Sequence, residues 1–235
     1  MNVKYKIIIS ALLGIVVVLA LEQFTDIDVW LSDKIYNFRT HQWPIPYNLH
    51  QKLNPIFYDG AKHLVATVGT FCVLYMLYSL WKPQYRCRFS AALTILLCTI
   101  IIPTTVGQLK RQSNVYCPNQ LVHYEASYPY ARVFEHYPAD FVPRHRGRCF
   151  PAGHISGAFA LMSMYLFFKT KRNQRLALTA ALLLAFTNGA YQLLRGEHFI
   201  SHNFISLFIA MILIVLINTV IKSLFRHLPQ RYHFQ

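Results

Sequence analysis

Charge is scarce in this chain, and acid is scarcer. Of 235 residues, 14% are charged, and nine Asp and Glu face 23 Lys and Arg. A soluble domain carries about a quarter charged residues, so the composition argues against one. Internal repeats and low-complexity stretches are also lacking, which excludes a solenoid or a linker protein. No small-residue cleavage site follows the first apolar run, where the chain reads Glu22-Gln23-Phe24-Thr25-Asp26. That run therefore reads as a retained span rather than a signal peptide. Cysteines number five, without the paired spacings of a zinc site.

What the chain does have is apolar length. It is 54% hydrophobic, and several runs reach the roughly 20 residues that a helix needs to cross a bilayer. The pattern predicts an all-α, polytopic membrane helix bundle forming one domain over 1–235. Its six spans fall at about 7–24, 60–81, 89–106, 151–168, 176–194 and 199–221, with a long external loop at 107–150. Pro103 is expected to kink the third span. The formal charge of +14 would suggest nucleic acid in a soluble protein. Here no soluble basic domain is left once the spans are removed, so nucleic acid is excluded as a partner. Most Lys and Arg sit in short segments beside the spans, where cytoplasmic retention and anionic headgroups favour them.

The connecting segments differ in character. Residues 26–59 are polar and aromatic. Val29, Leu31, Ile35 and Phe38 make the apolar side of an interfacial helix, and Asp26, Asp28 and Asp33 read as its solvated face. The 107–150 loop is too rich in Pro, Tyr, His and Arg to cross a membrane. It has no obvious core, so it reads as functional or mobile. Cys117 and Cys149 bracket this loop and can pair if it faces an oxidising compartment. Cys72 and Cys98 lie inside apolar runs as packing residues. Lys222 to Gln235 reads as a basic amphipathic tail.

Lys4/Lys6, Lys82/Arg86/Arg88, Lys169/Lys171/Arg172/Arg175 and Lys222/Arg226/Arg231 alternate as cytoplasmic connections. Both termini then fall inside, and 22–59, 107–150 and 195–198 fall outside. One outer face thereby gathers Lys110, Arg148, His154, Arg195, His198 and His202. Cations and histidines without a carboxylate cluster suit phosphoryl transfer. The phosphate oxygens need neutralising, phosphorus needs an in-line nucleophile, and the leaving oxygen needs an acid. Histidine can serve as nucleophile or acid near neutral pH. Pro151, Gly153 and His154 also open an apolar run just after Arg146 and Arg148. Free N–H groups at a helix start, flanked by guanidinium groups, make a site for phosphate.

In chain order these residues resemble the three motifs of the type-2 phosphatidic acid phosphatase superfamily, which includes vanadium haloperoxidases. The resemblance covers roughly 110–221. The first motif is Lys, six residues, Arg-Pro; Lys110 and Pro118 match it, and Cys117 replaces the arginine. The second, Pro-Ser-Gly-His, reads Pro151-Ala152-Gly153-His154. The third is Ser-Arg, five residues, His, three residues, Asp. Here Tyr191-Gln192 replaces Ser-Arg, His198 matches the histidine, and His202 replaces the aspartate.

The resemblance implies a membrane phosphatase that works through a phosphohistidine. On it, His198 attacks phosphorus, and His154 protonates the leaving oxygen and then helps activate water. Lys110, Arg148, Arg195 and the Gly153 backbone hold the phosphate. His202 orients His198, and Glu197 can supply the missing negative charge. No metal or other cofactor is required. The expected substrate is a lipid phosphate or pyrophosphate, and the expected site faces the periplasm from a bacterial inner membrane. No obligate protein partner is evident. A Cys117–Cys149 disulfide is expected on the same side. Three rival readings stay open: a phosphotransferase using the same intermediate, a non-catalytic lipid-phosphate binder or transporter, and a zinc site at His198 and His202.

Overall fold

The structure, a computed structural model, describes residues 2–226. Positions 227–235 of the expected tail lie outside the described residues. The apolar runs become helices because backbone groups in lipid must bond within their own segment. The first helix, α1, is Val3–Phe24, and the Asn2 side chain caps it by accepting from the Lys4 N–H at 3.3 Å. Next come α2 (Ile27–Ile35) and α3 (Tyr47–Asn54). A π-helical turn, Pro55–Asp59, joins α3 to α4 (Gly60–Trp81). Then follow α5 (Phe89–Gln112), α6 (Gly153–Ala160) with a 3₁₀ continuation at Leu161–Phe167, α7 (Lys171–Leu193) and α8 (Ile200–Arg226). Among the described residues the only β structure is two isolated bridges.

Among the described residues, five helical segments are long and apolar enough to cross a membrane, one fewer than the six expected. The exception is the fourth expected span, where the apolar helix is only Gly153–Phe167. This helix is enclosed by protein: Ile155, Ala158, Phe159 and Ala160 are almost wholly buried, and α5, α7 and α8 all pack on it. Its 3₁₀ half rises about 2.0 Å per residue against 1.5 Å for the α half, so the segment still reaches about 26 Å. By contrast, α1 and α4 expose Leu12, Leu13 and Val16, and Phe71, Leu74 and Leu77. Such apolar surfaces suit lipid contact.

Three expectations change at the end of the bundle where α1, α5 and α7 finish. First, α5 runs through Pro103 and continues to Gln112, so it is the expected end at 106 that changes. Lys110 therefore rides on a helix. Second, the 107–150 loop has a core after all. Tyr116 and Tyr128 stack with ring centroids 4.0 Å apart, and Tyr36, Leu121, Tyr124 and Phe199 are buried with them. Aromatic rings bury much area from few residues, so an irregular segment can pack without any periodic pattern.

Third, the acids of 26–33 do not share one solvated face: Asp26 is exposed, Asp33 is half-buried and Asp28 is buried. Asp26 pairs with Arg132 at 2.6 Å, and Asp33 accepts from the Tyr124 hydroxyl at 3.0 Å. Asp28 is only 2% exposed. It accepts the Ser201 backbone N–H at 3.1 Å and the Ser201 hydroxyl, capping the first turn of α8 from α2. Burial pushes its carboxyl above the usual carboxylate range. Asp28→Ala is expected to destabilise the fold by about 1–3 kcal/mol, read as a lower thermal midpoint in detergent. An unchanged midpoint would return Asp28 to the surface role first assigned to it.

Candidate active site

The second and third motif segments are tied together by backbone. Ala152 donates its N–H to the His202 carbonyl at 3.3 Å, and the Ser206 hydroxyl donates to the Ala152 carbonyl at 2.9 Å. This sets the first turn of α6, which carries His154, against the start of α8. The ring centroids of His154 and His198 lie 5.6 Å apart, and those of His198 and His202 lie 5.8 Å apart. His198 and His202 are each 1% exposed. Nε2 of His198 and Nδ1 of His202 have no hydrogen-bond partner among the described residues. Leaving such an atom unpaired costs about 1–3 kcal/mol, a cost that a bound ligand removes. Burial first, and then the charge of Lys110, hold His198 well below the ordinary imidazole range. A neutral ring is what a nucleophile must be.

Lys110 reaches the same place from α5. A Cβ built on Gly153 would lie 3.5 Å from its Cδ and 3.9 Å from its Nζ, so the ammonium group sits against the Gly153 backbone. Lys110, Arg148 and Glu197 line a polar cavity of about 560 Å³. Arg148 is exposed there.

Arg195 lies just beyond α7, which ends at Leu193. It lies in a turn closed by Gly196, whose φ of +67° and contact with Trp43 leave no room for a Cβ. The chain folds back there, so the Arg195 guanidinium returns to α7. Nη1 donates to Gln192 Oε1 and Nη2 to Glu197 Oε1, both at 3.0 Å. Gln192 stands where the motif has its arginine, so this guanidinium touches that very side chain. Glu197 also accepts from Asn119 Nδ2 at 3.2 Å. Arg195 and Asn119 thus engage the Glu197 carboxylate, the negative charge nearest to His198 in the chain.

A family model of the PAP2 superfamily matches residues 90–226, which take in all three motif segments. The chain belongs to the PAP2 superfamily. Membership supports a phosphatase-type function, the hydrolysis of phosphoric esters. With its apolar helices, the chain is an integral membrane protein. No curated protein and no solved structure matches it.

Two features of this PAP2 site lie around the motifs. The first is a disulfide joining Cys117, at the motif's arginine position, to Cys149. Cys149 Sγ lies 3.5 Å from His198 Nδ1. Cys117, Cys149 and His198 are close enough to hold a metal, but sulfurs bonded to each other are not the thiolates that a metal needs. In the chain-entropy model, a cross-link spanning 32 residues stabilises by about 3–4 kcal/mol. Alkylation of unfolded, unreduced protein is expected to label Cys72, Cys87 and Cys98 only. Label on Cys117 or Cys149 would refute the pairing.

The second feature is an apolar groove of about 580 Å³ between α4 and α5. Val65, Gly69, Val73, Leu96, Ile100 and Pro103 line it, and Lys62, Gly153 and His154 border it at the active-site end. Val73 and Ile100 are exposed, so the groove opens on the apolar surface of the bundle. The sequence reading missed Tyr58 and Lys62. The Tyr58 ring lies 4.7 Å from the His154 ring, and Lys62 Nζ sits 3.6 Å from the Tyr58 centroid. Their four-residue spacing at the start of the second span was the available signal, since such pairs share a helix face.

Proposed function

We propose that this PAP2 protein hydrolyses a lipid phosphate or lipid diphosphate through a phosphohistidine on His198. One juxtaposition carries this reading: a lipid-sized apolar groove ends at Gly153 and His154, and the His154 ring lies 5.6 Å from that of His198, whose buried Nε2 has no partner among the described residues. The acyl or prenyl chain lies in the groove, where its burial is favourable. Its phosphate lies among Lys110, the Gly153 N–H and the histidines.

Nε2 of His198 attacks phosphorus, and the bond from phosphorus to the lipid-side oxygen breaks. His154 gives that oxygen its proton. Water then attacks the phosphohistidine while His154 takes a proton back, and inorganic phosphate leaves with His198 restored. Lys110, Arg195 and Arg148 offset the charge on the phosphate oxygens. His202, packed beside His198 and against Phe150, holds the nucleophilic ring in place. The basic short connections favour a bundle with both termini in the cytoplasm and this site on the outer, periplasmic face of a bacterial inner membrane.

The test is phosphate release from a panel of lipid mono- and diphosphates in detergent, with a second lipid alcohol offered as acceptor. Release of inorganic phosphate that withstands EDTA is expected. Transfer to the acceptor in place of release would make the protein a phosphotransferase. Binding without either product would make it a lipid-phosphate carrier. Loss of activity that zinc restores would favour metal chemistry at His198 and His202.

A further inference from the structure

We propose that Lys62 reads a second phosphate, so that the site takes lipid diphosphates in preference to monophosphates. The proposal rests on the lipid-phosphate reading above and adds a specificity residue to it. Lys62 lies on α4, outside the matched residues 90–226 and outside all three motifs.

The placement is what argues for it. Lys110 stands at Gly153 on the polar side of the site. Lys62 borders the apolar groove, together with Gly153 and His154. The Tyr58 ring links it to His154, lying 3.6 Å from Lys62 Nζ and 4.7 Å from the His154 ring. A lipid whose reacting phosphate sits at His198 and whose chain lies in the groove must pass Lys62 between the two. In a monophosphate, the atoms passing there are the ester oxygen and the first carbons of the chain. In a diphosphate they are the inner phosphate, one P–O–P link from the reacting phosphorus.

Lys62 is also available for that role. Among the described residues it is in no ion pair. Its contact is the Tyr58 ring, and the nearby Asp59 accepts from Asn54 Nδ2 at 2.8 Å instead. A lysine held only by a ring face can swing to a phosphate, because its ammonium is a point charge on a flexible stem. Attack of His198 on a diphosphate breaks the bridging bond and leaves a lipid monophosphate. Negative charge grows on that leaving phosphate in the transition state. A cation there stabilises the transition state more than the ground state, so it raises turnover as well as affinity. The competing role is that of an interfacial lysine whose stem covers apolar surface while its head reaches water.

The two roles separate with farnesyl diphosphate and farnesyl monophosphate as probes. Equilibrium binding of both is measured in detergent on the His198→Ala protein, where turnover cannot consume them. Lys62→Met and Lys62→Arg are added to that background. Lys62→Met is expected to weaken diphosphate binding about tenfold or more and monophosphate binding by less than about twofold. Lys62→Arg should keep the preference, because a cation remains. Equal weakening for both lipids, no weakening, or no preference before substitution would overturn the proposal. The binding arm is independent of turnover. A His198-intact protein that prefers the diphosphate yet releases no phosphate would sink the hydrolase reading and leave Lys62 standing.

Discussion

Replacing His198 with alanine is expected to lower phosphate release by about 10⁴-fold or more, to the level left when a nucleophile is removed from an intact binding site. His154→Ala should cost about 10²- to 10⁴-fold, the range of a general acid. The double variant should be little worse than His198→Ala, because an acid has nothing to protonate once attack is lost. Phosphate release at saturating lipid measures all three, with the thermal midpoint as a check on folding. Wild-type protein mixed with lipid phosphate labelled on phosphorus, and quenched in alkaline detergent, should retain a base-stable label on His198 that acid then removes. Substantial turnover by folded His198→Ala would end the phosphohistidine mechanism.

The same histidine makes a pH prediction. Its folded pKa lies well below the usual imidazole value because the ring is buried and Lys110 is near. At pH 7 the ring is neutral in both the folded and the unfolded chain. Below about pH 6.5 the unfolded chain gains a proton that the folded site refuses, so stability is lost as the pH falls toward the folded value. The thermal midpoint should therefore drop on acidification below that point. His198→Ala should make the drop shallower, since one of the refusing groups is gone. An unchanged slope would mean that the ring protonates freely in the fold.

Much of the bundle was legible in the sequence because a helix in lipid has few alternatives. Apolar runs of the right length had to be helices, and the order of three short motifs pointed to His154 and His198 before any geometry was known. The misses share one cause, which is contact between distant segments. Asp28 looked solvated because its partner, Ser201, stands 173 positions away. The long loop looked coreless because Tyr116, Tyr124 and Tyr128 pack with Tyr36 and Phe199 from elsewhere, with no period to betray them. The fourth expected span looked like any other, yet it is a short helix wrapped in protein. In each case a local pattern was read correctly and its surroundings were not.

Arg195 is where that lesson bears on chemistry. It stands three residues after Gln192, the motif's arginine position. The Gly196 turn folds the guanidinium back onto the Gln192 amide, so a cation sits beside that position by another route. Its other nitrogen is held by Glu197, a carboxylate that must yield or share when a phosphate arrives. Arg195→Ala is expected to lower kcat/KM by about 10²- to 10³-fold, the cost of losing one preorganised donor to the transition state. Arg195→Lys should be nearly as damaging, because a point charge cannot bridge an amide, a carboxylate and a phosphate at once. Gln192→Arg added to Arg195→Ala should recover part of the loss by returning a guanidinium to the motif position. Recovery should stay partial, because Gln192 is fully buried and a charge placed there must first be stripped of water. Rates of phosphate release across these variants decide the matter. If folded Arg195→Ala works like the wild type, Arg195 serves only to pair with Glu197 and close the turn before His198.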